Sequence, residues 1–346
     1  MKLPASLFVI LCLSLTALPG SPGQSAFSPG TAWLDTNGAP INAHGGGVIF
    51  VDGRYYWHGE HKLPNRSEAQ KADGGVHCYS STDLYNWRDE GLVLSVDYQN
   101  PKSEIAAGCI LERPKVVYNP RTKKYVMYFK LYPPGSGYDT GYVGVAVADK
   151  PAGPFTYSHR FVGGGSPKGT GDFCMFRDAA GDVWHYTVRK PDKAFVAGRL
   201  TDDYLHPRGD YRVLTEIPAL TEAPAMIRLG DGTHYMLGSG SSGWKPNAAR
   251  SFRAPAAAGP FTDLGNPCAG TNPHNNLGPE KTFGGQISCI IPVEGRPGAY
   301  IAMFDLWRPD HAEKGLYAWL PLFIKNGKPV VEWHTKWDLG IFNRSD

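Results

Sequence analysis

Residues 222–240 read EAPAMIRLGDGTHYMLGSG, and residues 112–130 read ERPKVVYNPRTKKYVMYFK. Each stretch begins with a glutamate, runs through an apolar strand to a turn, and returns in a strand rich in aromatic residues. The same order recurs in GGVIFVDGRYYWHGE (46–60), GDFCMFRDAAGDVWHYTVR (171–189) and GGQISCIIPVEGRPGAYIAMFD (284–305). Dipeptides such as Asp52-Gly53 and Asp231-Gly232 between two strand-like runs are strong signals for a hairpin. The sequence therefore predicts one type of hairpin, repeated five times.

A second, weaker strand pattern follows each of these hairpins. It comprises HCYSSTDLYNWRDEG (77–91), VGVAVADKPAGPFTY (143–157), AFVAGRLTDDYL (194–205), AARSFRAPAAAGPFTDL (248–264) and GLYAWLPLFIKNGKPVVEW (315–333). Two hairpins make four strands, and five units of roughly 60 residues fill the chain, which predicts an all-β fold, a five-bladed β-propeller. A pair of β-sandwiches is the alternative all-β fold, but it would not require one pattern repeated five times.

The composition agrees with an all-β protein. The 346 residues include 42 Gly and 29 Pro, too many for a helical bundle, and 12% are aromatic. Hydrophobic residues make up 42% and charged residues 19%, which excludes a wholly disordered chain. The net charge is only +3 and no basic block stands out, so we expect no nucleic-acid partner.

The N-terminal segment has the features of an export signal. Lys2 precedes an apolar run from Leu7 to Leu18, and small residues follow at 21–26. Twelve apolar residues are too few to span a bilayer, so we expect no membrane partner. The sequence predicts a secretory signal peptide over residues 1–26, a propeller domain over 27–346, and a secreted or periplasmic protein.

Five cysteines remain after the signal peptide: Cys78, Cys109, Cys174, Cys268 and Cys289. An oxidising compartment would permit one or two disulfides, and the odd number leaves at least one thiol unpaired. The sequence contains no CxxC pair and no Cys/His spacing typical of zinc, so we expect neither a metal nor a cofactor.

Propeller geometry places the first residues of the innermost strands around one shared funnel. Glu112, Asp172, Glu222 and Gln286 open four of these strands, and the stretch 44–47 (HGGG) opens the remaining one. Like charges placed close together raise the pKa of at least one carboxyl group. A carboxyl group with a raised pKa can act as a general acid near neutral pH, so the pattern favours acid–base catalysis in the funnel.

Several of these stretches resemble glycoside hydrolase family 43, and most of all its exo-β-1,3-galactanase branch. The resemblance rests on residues 33–60, on 112–129 with its Glu-Arg-Pro-Lys-Val, on 220–244 with its Thr-Glu-Ala-Pro-Ala, and on the closing residues 319–342. It implies a five-bladed propeller and an inverting enzyme that releases galactose from β-1,3-galactan or acts on another plant polysaccharide.

The resemblance also implies roles for individual residues. Glu222 would be the general acid, and Asp172 would orient it and tune its pKa. Glu112 matches a second essential carboxylate. Most family members have an Asp base in the first blade, but the matching stretch here, 42–45, reads NAHG. In the galactanase branch a Gln positions the attacking water, and Gln286 matches that Gln.

Further residues complete the predicted site. Glu60, Arg113 and Tyr138 match sugar-binding positions of the family. Trp244 follows a Gly-Ser loop at the predicted pocket mouth, where its ring could stack on a sugar face. Because a neutral amide is a poor base, His44 and Glu112 are alternative water activators.

Two other functions remain open at this point. A non-catalytic propeller lectin could use the same pocket, although a buried acid favours an enzyme. An arabinofuranosidase or xylosidase of the same family is the other alternative. An Asp base in the first blade would have favoured that alternative, and none is present.

Overall fold

The computed structural model describes residues 23–67 and 72–343, and the predicted five-bladed β-propeller is confirmed. The predicted signal sequence lies mostly outside these residues. The four main strands of each blade form an antiparallel sheet and follow one another in chain order. Every blade contains two hairpins, but in blade three the fourth strand lies at Arg212–Val213, beyond the predicted stretch 194–205.

The strands of the five blades are as follows. Blade one contains β1 (His44–Val51), β2 (Arg54–Glu60), β3 (Val76–Ser81) and β4 (Arg88–Leu94). Blade two contains β5 (Ile110–Asn119), β6 (Lys124–Tyr132), β7 (Tyr142–Ala148) and β8 (Thr156–Val162). Blade three contains β9 (Thr170–Arg177), β10 (Val183–Arg189), β11 (Phe195–Arg199) and β12 (Arg212–Val213). Blade four contains β13 (Thr221–Arg228), β14 (His234–Gly240), β15 (Ala249–Ala254) and β16 (Thr262–Gly265). Blade five contains β18 (Gln286–Pro292), β19 (Tyr300–Leu306), β20 (Leu316–Lys325) and β21 (Lys328–Glu332), with β17 (Cys268–Ala269) added at its outer edge. Short 3-10 helices cover Pro279–Gly284, Ala312–Lys314 and Leu339–Asn343.

The first strand of every blade packs against the first strands of its two neighbours. The ring runs β1, β5, β9, β13, β18 and back to β1. All five strands therefore surround one axis, and their N-terminal residues meet at the same end of it. This arrangement brings together the polar openers of the five repeats.

Five hydrophobic clusters hold the blades together, one at each interface between neighbouring blades. The cluster between blades five and one is the richest in aromatic rings, with Trp57, Trp87 and Trp319 all fully buried. Phe27 joins this cluster and pairs through its backbone with Trp337. Residues near the two ends of the described chain thus close the ring by packing and by hydrogen bonds.

Tight turns connect the paired strands as the sequence predicts. Asp52 and Gly53 have φ values of 49° and 78°, the left-handed conformations that a two-residue hairpin turn requires. Glycine accepts this conformation without a steric penalty, and aspartate tolerates it better than most residues. The dipeptide therefore fixes the register between β1 and β2.

The disulfides that the sequence permits are absent from the structure. Cys78, Cys109, Cys174, Cys268 and Cys289 all carry free thiols. Burial raises the pKa of each of these thiols, for example to about 12 at Cys109 and Cys268. Four of these side chains are buried and Cys289 is partly buried, and all five pack as small apolar groups. No helix within residues 23–67 and 72–343 is long and apolar enough to cross a membrane.

Candidate active site

A cavity of about 560 Å³ lies at the end of the axis where the inner strands begin. All eight residues predicted from the sequence line it: Glu60, Glu112, Arg113, Tyr138, Asp172, Glu222, Trp244 and Gln286. They come from all five blades. The structure thus brings the predicted residues into one pocket, while their individual roles stay predictions.

Two glutamates reach this cavity from bulged strand starts. The strand register shifts just after Glu112 in β5 and just after Glu222 in β13. The next residues, Arg113 and Ala223, have φ values of 52° and 50°, and proline follows each of them. A bulge leaves one residue without a hydrogen-bonding partner on the neighbouring strand. Proline suits such a position because it has no N–H group that would need an acceptor. The Glu-X-Pro sequence therefore encodes a bulge that aims the glutamate into the pocket.

Blade one uses a glycine at the equivalent bulge. Gly45 has φ of 59°, and a Cβ atom added to it would lie 2.4 Å from Glu60 Oε1. The missing side chain makes room for the Glu60 carboxylate. Oε1 of Glu60 accepts a hydrogen bond from the Arg113 backbone N–H at 2.8 Å, and Oε2 pairs with Lys62 Nζ at 2.8 Å. Glu60 is therefore a buried, fixed acceptor on the pocket wall.

One buried lysine bridges two of the carboxylates. Lys130 Nζ lies 2.9 Å from Glu112 Oε2 and 2.8 Å from Asp172 Oδ1. The other oxygen of Asp172 pairs with Arg113 Nε at 2.9 Å. The other oxygen of Glu112 accepts a hydrogen bond from the Tyr138 hydroxyl at 2.7 Å. Both carboxylates are thus held on both sides by donors.

These contacts separate the pKa values of the three funnel carboxyl groups. Burial alone would raise the pKa of Glu112, but Lys130 and other nearby donors outweigh it and lower that pKa. In the same way, cationic neighbours overcome burial and lower the pKa of Asp172 to about 2. Glu222 shifts the other way, because burial and then the negative charge of Asp172 raise its pKa, although Ser241 Oγ donates to it at 2.6 Å. Among the three, Glu222 has the environment of a general acid.

The Gln286 amide is held by two hydrogen bonds. Its Nε2 donates to Ser239 Oγ at 2.9 Å, and its Oε1 accepts a hydrogen bond from Arg113 Nη2. An amide group can make four hydrogen bonds, so one N–H and one lone pair remain for a water molecule or a sugar hydroxyl. The side chain is a fixed, neutral group on the cavity wall.

His44, the alternative water activator, lies behind the pocket wall. The side chain is fully buried and does not line the cavity. Its Nδ1 is 3.5 Å from Asp305 Oδ1, and its ring stacks on Tyr317 with 5.0 Å between centroids. His44 is therefore a packing residue beneath the site, and the structure does not support a direct role for it in activating water.

Sequence reasoning missed several residues of the site. Lys130 is directly opposite Glu112 in the β5–β6 pairing, so counting outward from the hairpin turn would have found it. Trp307 follows β19 and meets Trp244 edge to face with centroids 5.5 Å apart. The ammonium group of Lys62 lies 5.3 Å from the Trp307 ring centroid and 5.8 Å from that of Trp244. The two tryptophans form an aromatic wall on the side of blades four and five.

The pocket combines tryptophans with carboxyl groups whose pKa values shift in opposite directions. This combination is typical of an enzyme that cleaves glycosidic bonds. Within the described ranges, no group of His, Cys, Asp and Glu side chains is arranged to hold a metal ion. The family model for glycosyl hydrolases family 43 matches residues 46–281, and the chain belongs to this family.

Solved structures of the same family resemble the chain over most of its length. The family 43 β-1,3-galactosidase BT3683, solved with galactodeoxynojirimycin, is 35% identical with a TM-score of 0.82, covering 90% of this chain and 100% of that chain. The exo-β-1,3-galactanase from Phanerochaete chrysosporium, solved with β-1,3-galactotriose, is 29% identical with a TM-score of 0.77, covering 91% and 68%. The exo-β-1,3-galactanase from Clostridium thermocellum is 28% identical with a TM-score of 0.76, covering 90% and 66%. None of the curated proteins compared with the chain matches it.

Proposed function

We propose that this protein is a secreted, inverting exo-β-1,3-galactanase that releases galactose from β-1,3-galactan. The observation that carries the proposal is the different surroundings of three carboxyl groups in the cavity: Lys130 bridges Glu112 and Asp172, whereas Glu222 accepts a hydrogen bond from the Ser241 hydroxyl. Glu222 has a raised pKa, whereas those of Glu112 and Asp172 are lowered. A protonated Glu222 can give its proton to the leaving oxygen, and the two ionised carboxylates can accept hydrogen bonds from sugar hydroxyls.

Gln286 is the group to which we assign the attacking water. In an inverting enzyme the acid and the water-activating group lie on opposite faces of the sugar, about 6.5–9.5 Å apart. Glu222 and Gln286 lie at the starts of the inner strands of the neighbouring blades four and five, and both side chains line the cavity. Our assignment places the sugar ring between them. The amide cannot take the proton as a carboxylate would, so its role is to hold and orient the water. Glu112 is the alternative activator.

The specificity for galactan is supported by the relatives at 28–35% identity, which are β-1,3-galactosidases and exo-β-1,3-galactanases. Exo cleavage is supported by two of these relatives, which are exo-β-1,3-galactanases. An arabinofuranosidase or a xylosidase would be expected to have a carboxylate base, and residues 42–45 contain none.

The decisive test of the reaction is product analysis on β-1,3-galactan, arabinan and xylan. We expect galactose from the first polysaccharide only, released initially as the α-anomer, which proton NMR detects before mutarotation. Initial β-galactose would indicate a covalent intermediate and would overturn the inverting mechanism. Binding of galactan without any product would favour a lectin.

The acid is tested by Glu222→Gln, which preserves shape and removes the proton donor. The amide oxygen can still accept the hydrogen bond from Ser241. We expect turnover to fall by at least ~10²-fold, the usual scale of general acid catalysis, with binding retained. Glu216→Gln, an exposed carboxyl group six residues earlier, is the matched control and should retain full turnover. Comparable activity in both variants would remove Glu222 from the role.

Export is part of the proposal and has its own test. Residues 1–26 carry the charge, apolar run and small residues of a signal peptide. We expect the mature protein outside the cytoplasm, with its N-terminus near residue 27 by N-terminal sequencing. An intact Met1 on protein recovered from the cytoplasm would contradict it.

A further inference from the structure

The mouth of the cavity has two chemically different sides. Blades four and five contribute the aromatic wall of Trp244 and Trp307. The connection from blade two to blade three contributes Lys168, and the β10–β11 loop of blade three contributes Lys190 and Lys193. We call these three lysines the cationic wall. A neutral galactan chain gives no reason for an excess of positive charge on one side of its binding pocket.

The cations deeper in the pocket are fully compensated, unlike those of the cationic wall. Lys130 and Arg113 pair with Glu112 and Asp172, and Lys62 pairs with Glu60. The deep part of the pocket thus contains matched charges around the proposed reaction centre. Positive charge without a matching carboxylate begins only farther out.

Lys190 is the central member of the cationic wall. Its Nζ donates to the Tyr138 carbonyl at 2.7 Å and to the Tyr132 hydroxyl at 3.0 Å, and lies 4.6 Å from the Tyr132 ring centroid. All of these partners are neutral. Burial, together with the nearby ammonium groups of Lys130 and Lys193, lowers the pKa of Lys190 to about 8. An anion placed here would relieve that repulsion.

The other two lysines extend the positive charge outward. Lys168 Nζ binds both carboxylate oxygens of Asp139, at 2.9 and 2.8 Å, on the solvent-exposed rim. Lys193 makes no ion pair with any residue of the described ranges. Three ammonium groups therefore face one carboxylate along this side of the mouth, which leaves an excess of two positive charges.

We propose that the cationic wall is a subsite for a carboxylate-bearing sugar, a uronic acid attached to the galactan substrate. The inference rests on the proposed function, since it names a substituent carried by the substrate of the same pocket. The aromatic wall and the deep carboxylates receive the neutral galactose, and the lysines receive the carboxylate on the opposite side of the mouth. A sulfate ester offers similar charge, and the experiment distinguishes the two.

The test compares three kinds of β-1,3-galactotriose. The first is unbranched, the second is a set carrying a uronic acid branch at each galactose in turn, and the third is the same set with the carboxyl group reduced to a neutral alcohol. We expect kcat/KM for one acidic compound to exceed that of its reduced partner about five- to tenfold at low ionic strength, the scale of a partly screened ion pair. The preference should shrink as salt is added. If a sulfated galactotriose has the same kcat/KM as the acidic compound, the subsite would be assigned to a sulfate ester instead.

Substitutions localise the effect, and the ratio of acidic to reduced substrate within each variant is the readout. We expect Lys190→Gln and Lys193→Gln to bring the ratio toward one, whereas Lys190→Arg should retain it. Lys245→Gln removes an exposed lysine beside Trp244, outside the cavity lining, and should leave the ratio unchanged. Because the ratio is internal to each variant, a general loss of activity does not disturb it.

The possible failures are distinguishable. If the unbranched compound is hydrolysed and the acidic and reduced compounds are hydrolysed at equal rates, the proposed subsite is refuted. The proposed function is unaffected by that result. If no compound is hydrolysed, the proposed function fails. NMR titration of the acidic and reduced pair then tests the subsite by itself, and equal affinities would overturn it.

Discussion

Replacing Lys130 with methionine should destabilise the protein and displace its pH profile. Lys130 is a buried cation 2.8 and 2.9 Å from two carboxylates. With an effective dielectric constant of about 20, each pair attracts by about 6 kcal/mol before the cost of burying the ions is subtracted. Removing one partner of a buried ionic group usually costs about 3–5 kcal/mol, because the remaining charges lose their compensation. We expect a loss in the free energy of unfolding of that size, measured by urea denaturation at neutral pH.

The pH dependence has a definite sign. Lys130 helps to lower the pKa values of Glu112 and Asp172, so their contribution to stability is complete above their ordinary pKa values and is lost as pH falls. For Asp172 that loss occurs between its ordinary value of 3.8 and about 2. Without Lys130 both pKa values rise, so acid unfolding should begin at a higher pH. The acidic limb of kcat/KM should move upward for the same reason. The basic limb should move the same way, because Lys130 also lowers the pKa of Glu222.

Two variants serve as controls. Lys124→Met removes a lysine from the same strand, where it forms an exposed pair with Asp149. The free energy of unfolding should change there by less than about 1 kcal/mol. Lys130→Arg retains the charge and should recover most of the pH profile. If Lys130→Met lost no more stability than Lys124→Met and kept the original pH limbs, the electrostatic account of the site would be refuted.

Three further predictions address other parts of the structure. Gln286→Ala should lower kcat by at least ~10²-fold with an unchanged circular dichroism spectrum. Near-normal turnover in that variant, together with an inactive Glu112→Gln, would make Glu112 the water activator. Trp244→Ala should raise KM about five- to tenfold through lost stacking with little change in kcat, and an equal fall in kcat would contradict a binding role. Burial and then Arg113 lower the pKa of Lys115 to about 8, so the unfolded state binds more protons between about pH 8 and 10.5. The wild type should therefore gain stability relative to Lys115→Met across that window in urea titrations, and a constant difference would contradict the assignment.

Much of the fold could be predicted because each blade is built from local hairpins. Turns such as Asp52-Gly53 and the alternation of strand and turn are visible within about 20 residues of sequence. The closure of the ring could not be predicted in this way. Phe27 pairs with Trp337, and the short strand β17 (Cys268–Ala269) joins β21 (Lys328–Glu332) in parallel. These contacts join segments far apart in the chain and have no local signal.

The candidate site was predictable where it lies on the strand openers. Glu112, Asp172 and Glu222 stand at equivalent positions of the repeat, so the propeller fold alone brings them together. Lys130 lies near the end of β6, where a lysine usually extends into solvent, and only its pairing opposite Glu112 reveals its place. The cationic wall depends on loops from two blades, and the relative positions of such loops follow from the packed structure.

The charges of the pocket account for a neutral amide at position 286. The deep site contains four carboxyl groups, Glu60, Glu112, Asp172 and Glu222, and three cations, Lys62, Arg113 and Lys130. With Glu222 protonated, the three remaining carboxylates match the three cations. A fifth carboxyl group would leave one negative charge uncompensated and raise the pKa of Glu222 further. Because Arg113 already donates to the Gln286 oxygen, Gln286→Glu should fold normally. Its pH–rate profile should have a basic limb at higher pH than that of the wild type. An unchanged limb would mean that residue 286 is electrostatically isolated from the acid, and that its neutrality has another cause.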